Sequence, residues 1–244
     1  MQRPSCVALT GAGLSTRSGI PDFRSPGRGL WNQIEKMPDD KSKMMTYQGF
    51  RENPEAFYKH FRLLLEIILS AEPNPAHIAL AELEASGYIQ ATITQNGDML
   101  HQKAGSQTVI EIHGTLDRAV CMSCYRSDEG LFYWRRLLTE DTIPRCRYCG
   151  GLMKPDVILT GEQLPAQMVL KAKRLFEECD VILAAGTSFS GGPVMDWVEN
   201  AHEQRKKLVI INLSSTILDS VADVVIREDV VEVLPMIVEK LIGP

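Results

Sequence analysis

The chain has 244 residues, of which 44% are hydrophobic and 23% are charged, and its net charge is −5 at neutral pH. This balance is typical of a globular protein that buries a substantial core without disulfide bonds. The acidic charge disfavours nucleic acid as a direct ligand, and no apolar run reaches the roughly 20 residues needed to cross a bilayer.

The N-terminus and the cysteines both indicate in which cellular compartment the protein is expected. Met1 leads into an apolar strand and a glycine motif with no leader in between, so we expect a cytoplasmic protein. Four of the six cysteines form two C-x-x-C pairs, which is typical of a metal site rather than a disulfide framework. Cys6 and Cys179 lie in apolar surroundings and are interpreted as small core residues.

Short β-branched runs alternate with helical stretches along most of the chain. Runs that are apolar on both faces favour parallel strands covered by helices on each side. The alternation predicts an α/β fold with a doubly wound, Rossmann-like parallel sheet. The predicted strands are Cys6–Thr10, Gln90–Thr94, Thr108–Ile112, Asp156–Leu159, Val181–Ala185, Leu208–Asn212 and Asp223–Ile226. The predicted helices are Asn74–Ser86, Pro165–Glu178, Pro193–Arg205 and Val230–Ile242.

Two segments interrupt this alternation and predict a smaller inserted domain. Residues from about 26 to 70 are turn-rich and then helical, and residues from about 117 to 153 carry the cysteine pairs. We therefore assign residues 1–25, 71–116 and 154–244 to one Rossmann-like domain. The helical module 26–70 and the cysteine-bearing module 117–153 would together form the small domain.

The first predicted strand ends in a glycine-rich turn, Thr10-Gly11-Ala12-Gly13-Leu14-Ser15. Glycines at a strand end let the backbone approach a ligand, and a following helix N-terminus attracts phosphate. A tight turn without a ligand is the alternative. Thr16 stands at the third glycine position of the usual dinucleotide fingerprint, which disfavours an ordinary dehydrogenase. The next stretch, Ser18 to Arg24, suits a mobile cover in which Arg24 meets phosphate and Phe23 covers a ring.

Polar side chains follow the next two predicted strands. Gln95, Asn96 and Asp98 come after one strand, and His113 comes after the other. Ligands of open α/β sheets collect at such carboxyl ends, where amides and a carboxylate bind sugar hydroxyls and a carboxamide. A capped turn explains the first group equally well, and a lone histidine is more often structural. With the glycine turn after the first strand, these are three strand ends in succession that carry ligand-binding residue types. Together they favour a site with His113 as general base.

The cysteine pairs predict one structural zinc. Two C-x-x-C pairs, separated by 21 residues, complete a tetrahedral four-thiolate site that leaves no position open for substrate. An iron–sulfur cluster and a redox dithiol are the competing interpretations. Two matched pairs in a short insert with flanking glycines favour zinc. The predicted ligands are Cys121, Cys124, Cys146 and Cys149.

Together, the motifs resemble those of the sirtuin family of NAD-dependent protein deacylases. They stand in family order, span nearly the whole chain and match a compact bacterial or archaeal member. The stretches that carry the resemblance are Gly11–Ser15, Gly19–Arg24, Thr94–Asp98, His113-Gly114, the two cysteine pairs, Lys154–Val157, Gly161-Glu162, Gly186–Ser188 and Ile211-Asn212.

The resemblance implies that NAD is a co-substrate lying between the two domains and that an acyl-lysine of a protein substrate enters from the opposite side. The acyl oxygen would attack the anomeric carbon as nicotinamide leaves. His113 would then accept a proton from the ribose hydroxyl system, and lysine and O-acyl-ADP-ribose would follow. The implied catalytic residues are His113 and Asn96.

The resemblance also implies a set of binding residues. Asn96 and Asp98 would line the nicotinamide pocket and Gln95 the adjoining ribose. The implied NAD-binding residues are Gly11, Ala12, Gly13, Ser15, Asp22, Phe23, Arg24, Gln95, Asn96, Asp98, Gly186, Thr187, Ser188 and Asn212. The implied substrate-binding residues are Tyr58, Val157, Ile158, Thr160 and Gly161.

Departures from the family pattern bear on specificity. Gly97 replaces a bulky aliphatic residue and is expected to weaken inhibition by nicotinamide. Thr160 replaces a phenylalanine and should widen the lysine channel, and the loop from Phe189 to Pro193 is richer in glycine. Tyr58 lacks the arginine three residues later that marks removal of dicarboxylic acyl groups. Arg62 should point away from the pocket, so neutral acyl groups are expected.

Two other functions would use part of the same residue set. An NAD-dependent mono-ADP-ribosyltransferase or NAD glycohydrolase would use the same pocket with less need of His113. A zinc-stabilised adaptor that senses NAD would keep the glycine and cysteine motifs without His113, Asn96 and Asp98. We therefore predict an NAD-dependent protein-lysine deacylase that acts on acyl-lysine proteins, with no nucleic-acid or membrane partner.

Overall fold

A computed structural model describes residues 4–22, 46–189 and 192–243. In these ranges the strands form a parallel sheet of order β3-β2-β1-β7-β8-β9 and an antiparallel sheet of order β5-β4-β6. The larger sheet contains β1 (Cys6–Thr10), β2 (Ile89–Thr94), β3 (Val109–Glu111), β7 (Val181–Ala185), β8 (Lys207–Ile211) and β9 (Val224–Ile226). The smaller sheet contains β4 (Gly114–Cys121), β5 (Ser127–Glu129) and β6 (Met153–Val157).

The larger sheet has the strand order of a doubly wound nucleotide-binding fold. β1 pairs in parallel with β2 on one side and with β7 on the other. The strand order therefore reverses beside β1, and open α/β sheets bind ligands at the carboxyl ends of strands at such a point. The predicted fold class is confirmed, and the bounds of β1 and β7 are those that the sequence indicated.

The helices alternate with the strands as predicted in the second half of the chain. A 3₁₀ helix, Ala12–Ser18, follows β1. The α-helices are α1 (Tyr47–Glu52), α2 (Pro54–Ser70), α3 (Pro75–Ala85), α4 (Leu100–Lys103), α5 (Gly130–Glu140), α6 (Ala166–Glu178), α7 (Val194–Glu203) and α8 (Val230–Ile242).

Apolar side chains fill both faces of the parallel sheet. One face packs against α6 and α7 through residues such as Phe176 and Trp197. The other face packs against α3 and α8 through Leu80 and Leu234. Strands covered on both sides must be apolar on both faces, which is why short continuous apolar runs identified them.

The small domain has one core that joins the helical and the zinc-bearing segments. The inward side chains of α2 recur at helical spacing, as in Phe57, Phe61 and Leu65, and pack against Trp134 of α5. The indole N–H of Trp134 donates to the Leu116 carbonyl of β4 at 2.7 Å. This shared core supports a joint small domain, while the residue ranges given to the domains stay a prediction.

One local prediction is wrong. The strand expected at Asp156–Leu159 in the parallel sheet is β6, Met153–Val157, which pairs antiparallel with β4. An apolar run indicates a strand but not its partner, which long-range packing decides. The helix that follows the glycine turn after β1 is a 3₁₀ helix.

None of the helices within the described ranges is long and apolar enough to cross a membrane.

Substitution of Gly186 tests the contact at the strand-order reversal. Gly186 has φ 63°, and an added Cβ would lie 2.3 Å from the Leu14 nitrogen. Gly87 has φ 72° with open space around it, so Gly87→Ala introduces backbone strain alone, about 1–2 kcal/mol. We expect Gly186→Ala to lower the free energy of unfolding by at least about twice that amount, because the backbone must also move. Urea titrations that give equal losses of unfolding free energy for the two variants would contradict this.

Candidate functional site

A cavity of about 760 Å³ lies along the carboxyl ends of the parallel strands and between the two domains. This volume falls within the roughly 300–1,000 Å³ typical of small-molecule sites. The predicted residues that line it are Gly11, Ala12, Gly13, Ser15, Asp22, Gln95, Asn96, Asp98, His113, Val157, Ile158, Thr160, Gly186, Thr187, Ser188 and Asn212.

The glycine turn and the end of β7 form one wall of the cavity. The Gly13 N–H donates to the Gly186 carbonyl at 2.9 Å. A Cβ on Gly13 would lie 2.7 Å from that oxygen, and a Cβ on Gly11 would lie 2.9 Å from Thr187 Cβ. The glycines are therefore required for backbone-to-backbone packing, which holds the turn at the edge of the cavity.

The polar residues after β2 are held by a network that leads back to the glycine turn. Asn96 Nδ2 donates to the Gly11 carbonyl at 3.0 Å and lies 3.1 Å from Ser15 Oγ. Ser15 Oγ donates to Asp98 Oδ2 at 2.6 Å. Asn96 and Asp98 are buried. The network fixes an amide and a carboxyl group at one end of the cavity.

Gln95 links the β2 end to the β7 end. Its Nε2 donates to Thr187 Oγ1 at 2.8 Å, and its backbone carbonyl lies 3.0 Å from His113 Nδ1. A carbonyl only accepts, so Nδ1 carries the proton, and Nε2 of the neutral ring keeps a free lone pair. Burial lowers the pKa of His113, which favours that neutral ring. His113 therefore has the protonation state that a general base requires.

The opposite wall of the cavity is apolar and comes mainly from the small domain. It is formed by inward residues of α2 together with residues of β4 and of the segments after the 3₁₀ helix and β6. These residues, which the motif analysis missed, are Ile20, Phe61, Leu64, Ile68, Leu116, Leu159 and Leu164. The spacing of Phe61, Leu64 and Ile68 was visible in the sequence, but helical periodicity does not distinguish a cavity wall from a core.

A buried ion pair holds the segment that follows β6. Lys154 Nζ lies 2.8 Å from Glu162 Oε2 and donates to the Val157 carbonyl at 2.7 Å. Glu162 Oε2 also accepts the Leu159 N–H at 2.8 Å. These contacts fix the backbone from Val157 to Glu162, whose side chains face the cavity at Val157, Ile158 and Thr160.

Some predicted residues are not placed at the cavity. Phe23 and Arg24 lie outside the described residues, and Gly161 is not part of the lining. Tyr58 is not among the described lining residues either, and its contact with substrate stays a prediction. Its side chain is buried in the small-domain core and its hydroxyl donates to the Met153 carbonyl. The residue is amphipathic, and its hydroxyl satisfies a backbone acceptor instead.

The structure confirms the prediction for Arg62 and changes the interpretation of Gly97. Arg62 donates to Asp141 Oδ1 at 2.6 Å, away from the cavity. A Cβ on Gly97 would lie 2.9 Å from the Gly114 carbonyl oxygen and 3.2 Å from Val157 Cγ1. Gly97 thus meets the backbone of β4, and a larger residue there would push against that strand rather than fill the cavity.

The four predicted metal ligands are brought together in the small domain. The sulfur atoms of Cys121, Cys124, Cys146 and Cys149 lie within 4.8 Å of one another. The separations are 3.5 Å for the first and last and 3.9 Å for the middle two. A tetrahedral zinc with Zn–S bonds of about 2.3 Å requires sulfur separations of about 3.8 Å. The cluster therefore fits a structural zinc.

Backbone geometry adapts the two cysteine turns to this cluster. The N–H groups of Ser123 and Cys124 each donate to Cys121 Sγ at 3.4 Å. A Cβ on Gly151 would lie 2.9 Å from the same sulfur, so only glycine lets the second turn approach. Donors aimed at sulfur stabilise the thiolate that a metal needs.

Comparisons with known proteins agree with this arrangement. The model of the Sir2 family matches residues 11–193. The NAD-dependent protein deacetylase 1 of Pyrobaculum aerophilum is 44% identical over 245 aligned positions, covering 99% of this chain and 92% of the relative. The NAD-dependent protein deacylase 2 of Archaeoglobus fulgidus is 40% identical over 239 aligned positions, covering 96% of this chain and 90% of the relative. The structure of Sir2Tm bound to a propionylated peptide superimposes with a TM-score of 0.84 at 34% identity, covering 98% of this chain and 94% of Sir2Tm.

Replacement of one cysteine tests the metal cluster. We expect Cys146→Ser to lose zinc and to accumulate as insoluble protein, because folding of this module and metal binding are linked. Cys179→Ala, at a buried cysteine outside the cluster, should keep one zinc per chain in a metal analysis. Full activity of Cys146→Ser without bound metal would show that the cluster has no structural role.

Proposed function

The chain belongs to the Sir2 family, and we propose that its cavity is where an acyl group passes from a protein lysine to the ADP-ribose part of NAD. The protein is thus an NAD-dependent protein deacylase that uses NAD as co-substrate and carries a structural zinc. The observation that carries the placement is the position of His113, which lines the same cavity as the amide and carboxyl groups and the apolar wall.

The Rossmann-like side supplies the groups that suit NAD. Bound NAD supplies the ADP-ribosyl group that accepts the acyl oxygen as nicotinamide leaves. The turn Gly11–Ser15 would face its phosphates, and the β7 and β8 ends, with Gly186–Ser188 and Asn212, would hold the adenosine half. Asp22, Phe23 and Arg24 would cover the phosphates and nicotinamide ribose. The backbone contact between Gly13 and Gly186 supports these assignments, because it places both elements on one wall.

Asn96 and Asp98 suit the nicotinamide end. A carboxamide offers two N–H donors and one acceptor, and the carboxyl group of Asp98 can accept one of those N–H groups. The two side chains are buried and fixed through Ser15 and Gly11. A preorganised arrangement of this kind holds reacting atoms in the attack geometry that the first step requires.

His113 favours deacylation over the two alternative functions. Transfer of ADP-ribose to another acceptor, or hydrolysis of NAD, has less need of a neutral histidine beside the ribose. The hydrogen bond from Nδ1 to Gln95 leaves Nε2 free to accept a proton. An NAD-sensing adaptor needs no such base, and nicotinamide release dependent on acyl peptide would exclude it.

Replacement of His113 should separate the two halves of the reaction. We expect His113→Ala to lower kcat for deacylation roughly 10²–10⁴-fold, the usual contribution of a positioned base. Exchange of labelled nicotinamide into NAD, with acyl peptide present, should persist because it precedes the proton transfer. Since burial lowers the pKa of His113, wild-type deacylation should fall only as the pH drops below about 6.5. Equal loss of both activities in a folded, NAD-binding variant would contradict this role.

The apolar wall supports a preference for neutral acyl groups. Phe61, Leu64 and Ile68 of α2 face the cavity together with Thr160. The described lining residues include no lysine or arginine, and their ionisable side chains other than neutral His113 are carboxyl groups, so a distal carboxylate would find no cation among them. We infer that acetyl groups are accepted, that propionyl and longer chains are also accepted, and that succinyl groups are rejected.

Substitution of Thr160 tests this preference. Thr160 is exposed, and its carbonyl accepts the Tyr47 N–H at 3.0 Å, so its side chain can change without loss of that contact. We expect Thr160→Phe to reduce kcat/KM for butyryl and longer acyl peptides relative to acetyl, up to about fourfold for each excluded methylene. Thr142→Phe, at an exposed position after α5, should keep the wild-type profile. A succinyl preference in the wild type, or an unchanged profile in Thr160→Phe, would contradict the inference.

The acidic net charge and the similarity to Sir2Tm, whose structure holds a propionylated peptide, support protein substrates rather than nucleic acid as partners. A cytoplasmic location stays part of the proposal.

A further inference from the structure

The 3₁₀ helix Ala12–Ser18 forms part of the cavity wall. Gly13 near its start lines the cavity, and the chain that leaves the helix lines it again at residues 20–22. A 3₁₀ helix has poor hydrogen-bond geometry and is uncommon beyond about four residues. This one has seven residues, so its position depends on contacts from other parts of the chain.

The side chain of Asn74 contacts this helix at two points. Asn74 is buried and directly precedes α3. Its Nδ2 atom donates to the Leu14 carbonyl at 2.8 Å and to Ser18 Oγ at 3.1 Å. Ser18 is the last residue of the 3₁₀ helix, and Leu14, which is fully buried, lies four positions earlier. One amide group therefore joins two successive turns of the helix to the start of α3.

The contacts of Asn74 allow only one orientation of its amide. The Oδ1 atom accepts the Ala76 N–H at 3.0 Å and the His77 N–H at 3.4 Å, which caps α3. Backbone N–H groups only donate and the Leu14 carbonyl only accepts, so a flipped amide would lose three of the four contacts. Both donors and both acceptor positions of the side chain are thus used, which fixes the distance between the two helices.

A second contact with the 3₁₀ helix is weaker. Arg17 Nε donates to Asp229 Oδ2 at 2.8 Å, and Asp229 caps α8. The Arg17 side chain is 65% exposed, and an ion pair of such a side chain contributes little. The buried hydrogen bonds from Asn74 are therefore the stronger of these two restraints.

We propose that Asn74 is a positioning residue for NAD: through Leu14 and Ser18 it holds the 3₁₀ helix where the turn Gly11–Ser15 can meet the NAD phosphates. Asn74 is not among the described residues that line the cavity, so it acts through the helix. A turn that is already held in place does not have to be ordered when the ligand binds, which raises the affinity. This role rests on the proposed function, which places the phosphates at this turn.

Loss of the link should weaken NAD binding more than it slows the chemistry. His113 is held by the Gln95 carbonyl after β2, and neither residue contacts Asn74. Proton transfer therefore keeps its base when the 3₁₀ helix loosens. The expected signature is a raised KM for NAD with little change in kcat.

Asn74→Ser tests this role because serine is about as good a helix cap as asparagine but cannot replace both donors. We expect the Kd for ADP-ribose, measured by calorimetry, to rise roughly tenfold, toward the low end of what two hydrogen bonds contribute. The KM for NAD in deacylation should rise by a similar factor. Both kcat and the KM for acyl peptide should stay within about twofold of the wild type.

Asn53→Ser is the matched control. Asn53 caps α2 in the same way, since its Oδ1 accepts the Ala56 N–H at 3.0 Å, and it is exposed. The substitution therefore changes a helix cap of the same type without a contact to the 3₁₀ helix. Its Kd for ADP-ribose should equal that of the wild type, and a rise equal to that of Asn74→Ser would overturn the proposal.

Ser18→Ala tests the same link from the other side. Ser18 is half-buried, and the substitution removes the acceptor of one of the two Asn74 contacts. We expect the Kd for ADP-ribose to rise roughly threefold, as for one hydrogen bond. The double variant with Asn74→Ser should bind no more weakly than Asn74→Ser alone, because the contact is already lost. If Asn74→Ser does not fold, Ser18→Ala decides alone, and an unchanged Kd overturns the proposal.

The remaining outcomes separate this role from the proposed function. Absence of ADP-ribose binding in the wild type overturns the proposed function and the role of Asn74 with it. Wild-type binding together with an unchanged Kd in folded Asn74→Ser, or full additivity with Ser18→Ala, overturns the role of Asn74 alone. Equal weakening of ADP-ribose and acyl-peptide binding, with a lower kcat, would show general support of the fold and also overturn it.

Discussion

The hydrogen bond from the Gly13 N–H to the Gly186 carbonyl, 2.9 Å long, is the contact on which the site depends. It joins the turn after β1 to the end of β7 at the reversal of strand order. Because neither glycine has a Cβ, the two backbones meet directly. Gln95 then reaches Thr187, and Asn96 reaches the Gly11 carbonyl, so three strand ends act as one rigid wall.

The parallel sheet was predictable because its strands are apolar on both faces and short. β1 and β7 begin and end where the sequence indicated. Because both faces of these strands are buried, each strand is a continuous apolar run whose ends are visible in the sequence. The partner of β6 was not predictable. A run such as Met153–Val157 is compatible with either sheet, and its pairing with β4 depends on a core assembled from distant helices.

At the site, the rule that ligands bind at the carboxyl ends of parallel strands predicted the polar residues but not the apolar wall. Gln95, Asn96, Asp98 and His113 all line the cavity, because the carboxyl ends of parallel strands meet at one edge. Tyr58 and Phe61 are both buried side chains of the same helix, yet of the two only Phe61 lines the cavity. That choice depends on how α2 is rotated against Trp134, which sequence periodicity alone does not give.

The position of the cysteine cluster in the small domain also limits the role that a bound zinc can have. Cys121 is at one end of β4, while Gly114 and Leu116 lie at the other end, beside the cavity. Seven residue steps along a strand span roughly 23 Å, so the metal is far beyond contact with His113 or a substrate in the cavity. A bound zinc would therefore act through the strands. It would hold the ends of β4 and β6 together, and β6 leads into the backbone that Lys154 and Glu162 fix. That backbone carries Val157 and Thr160 to the cavity.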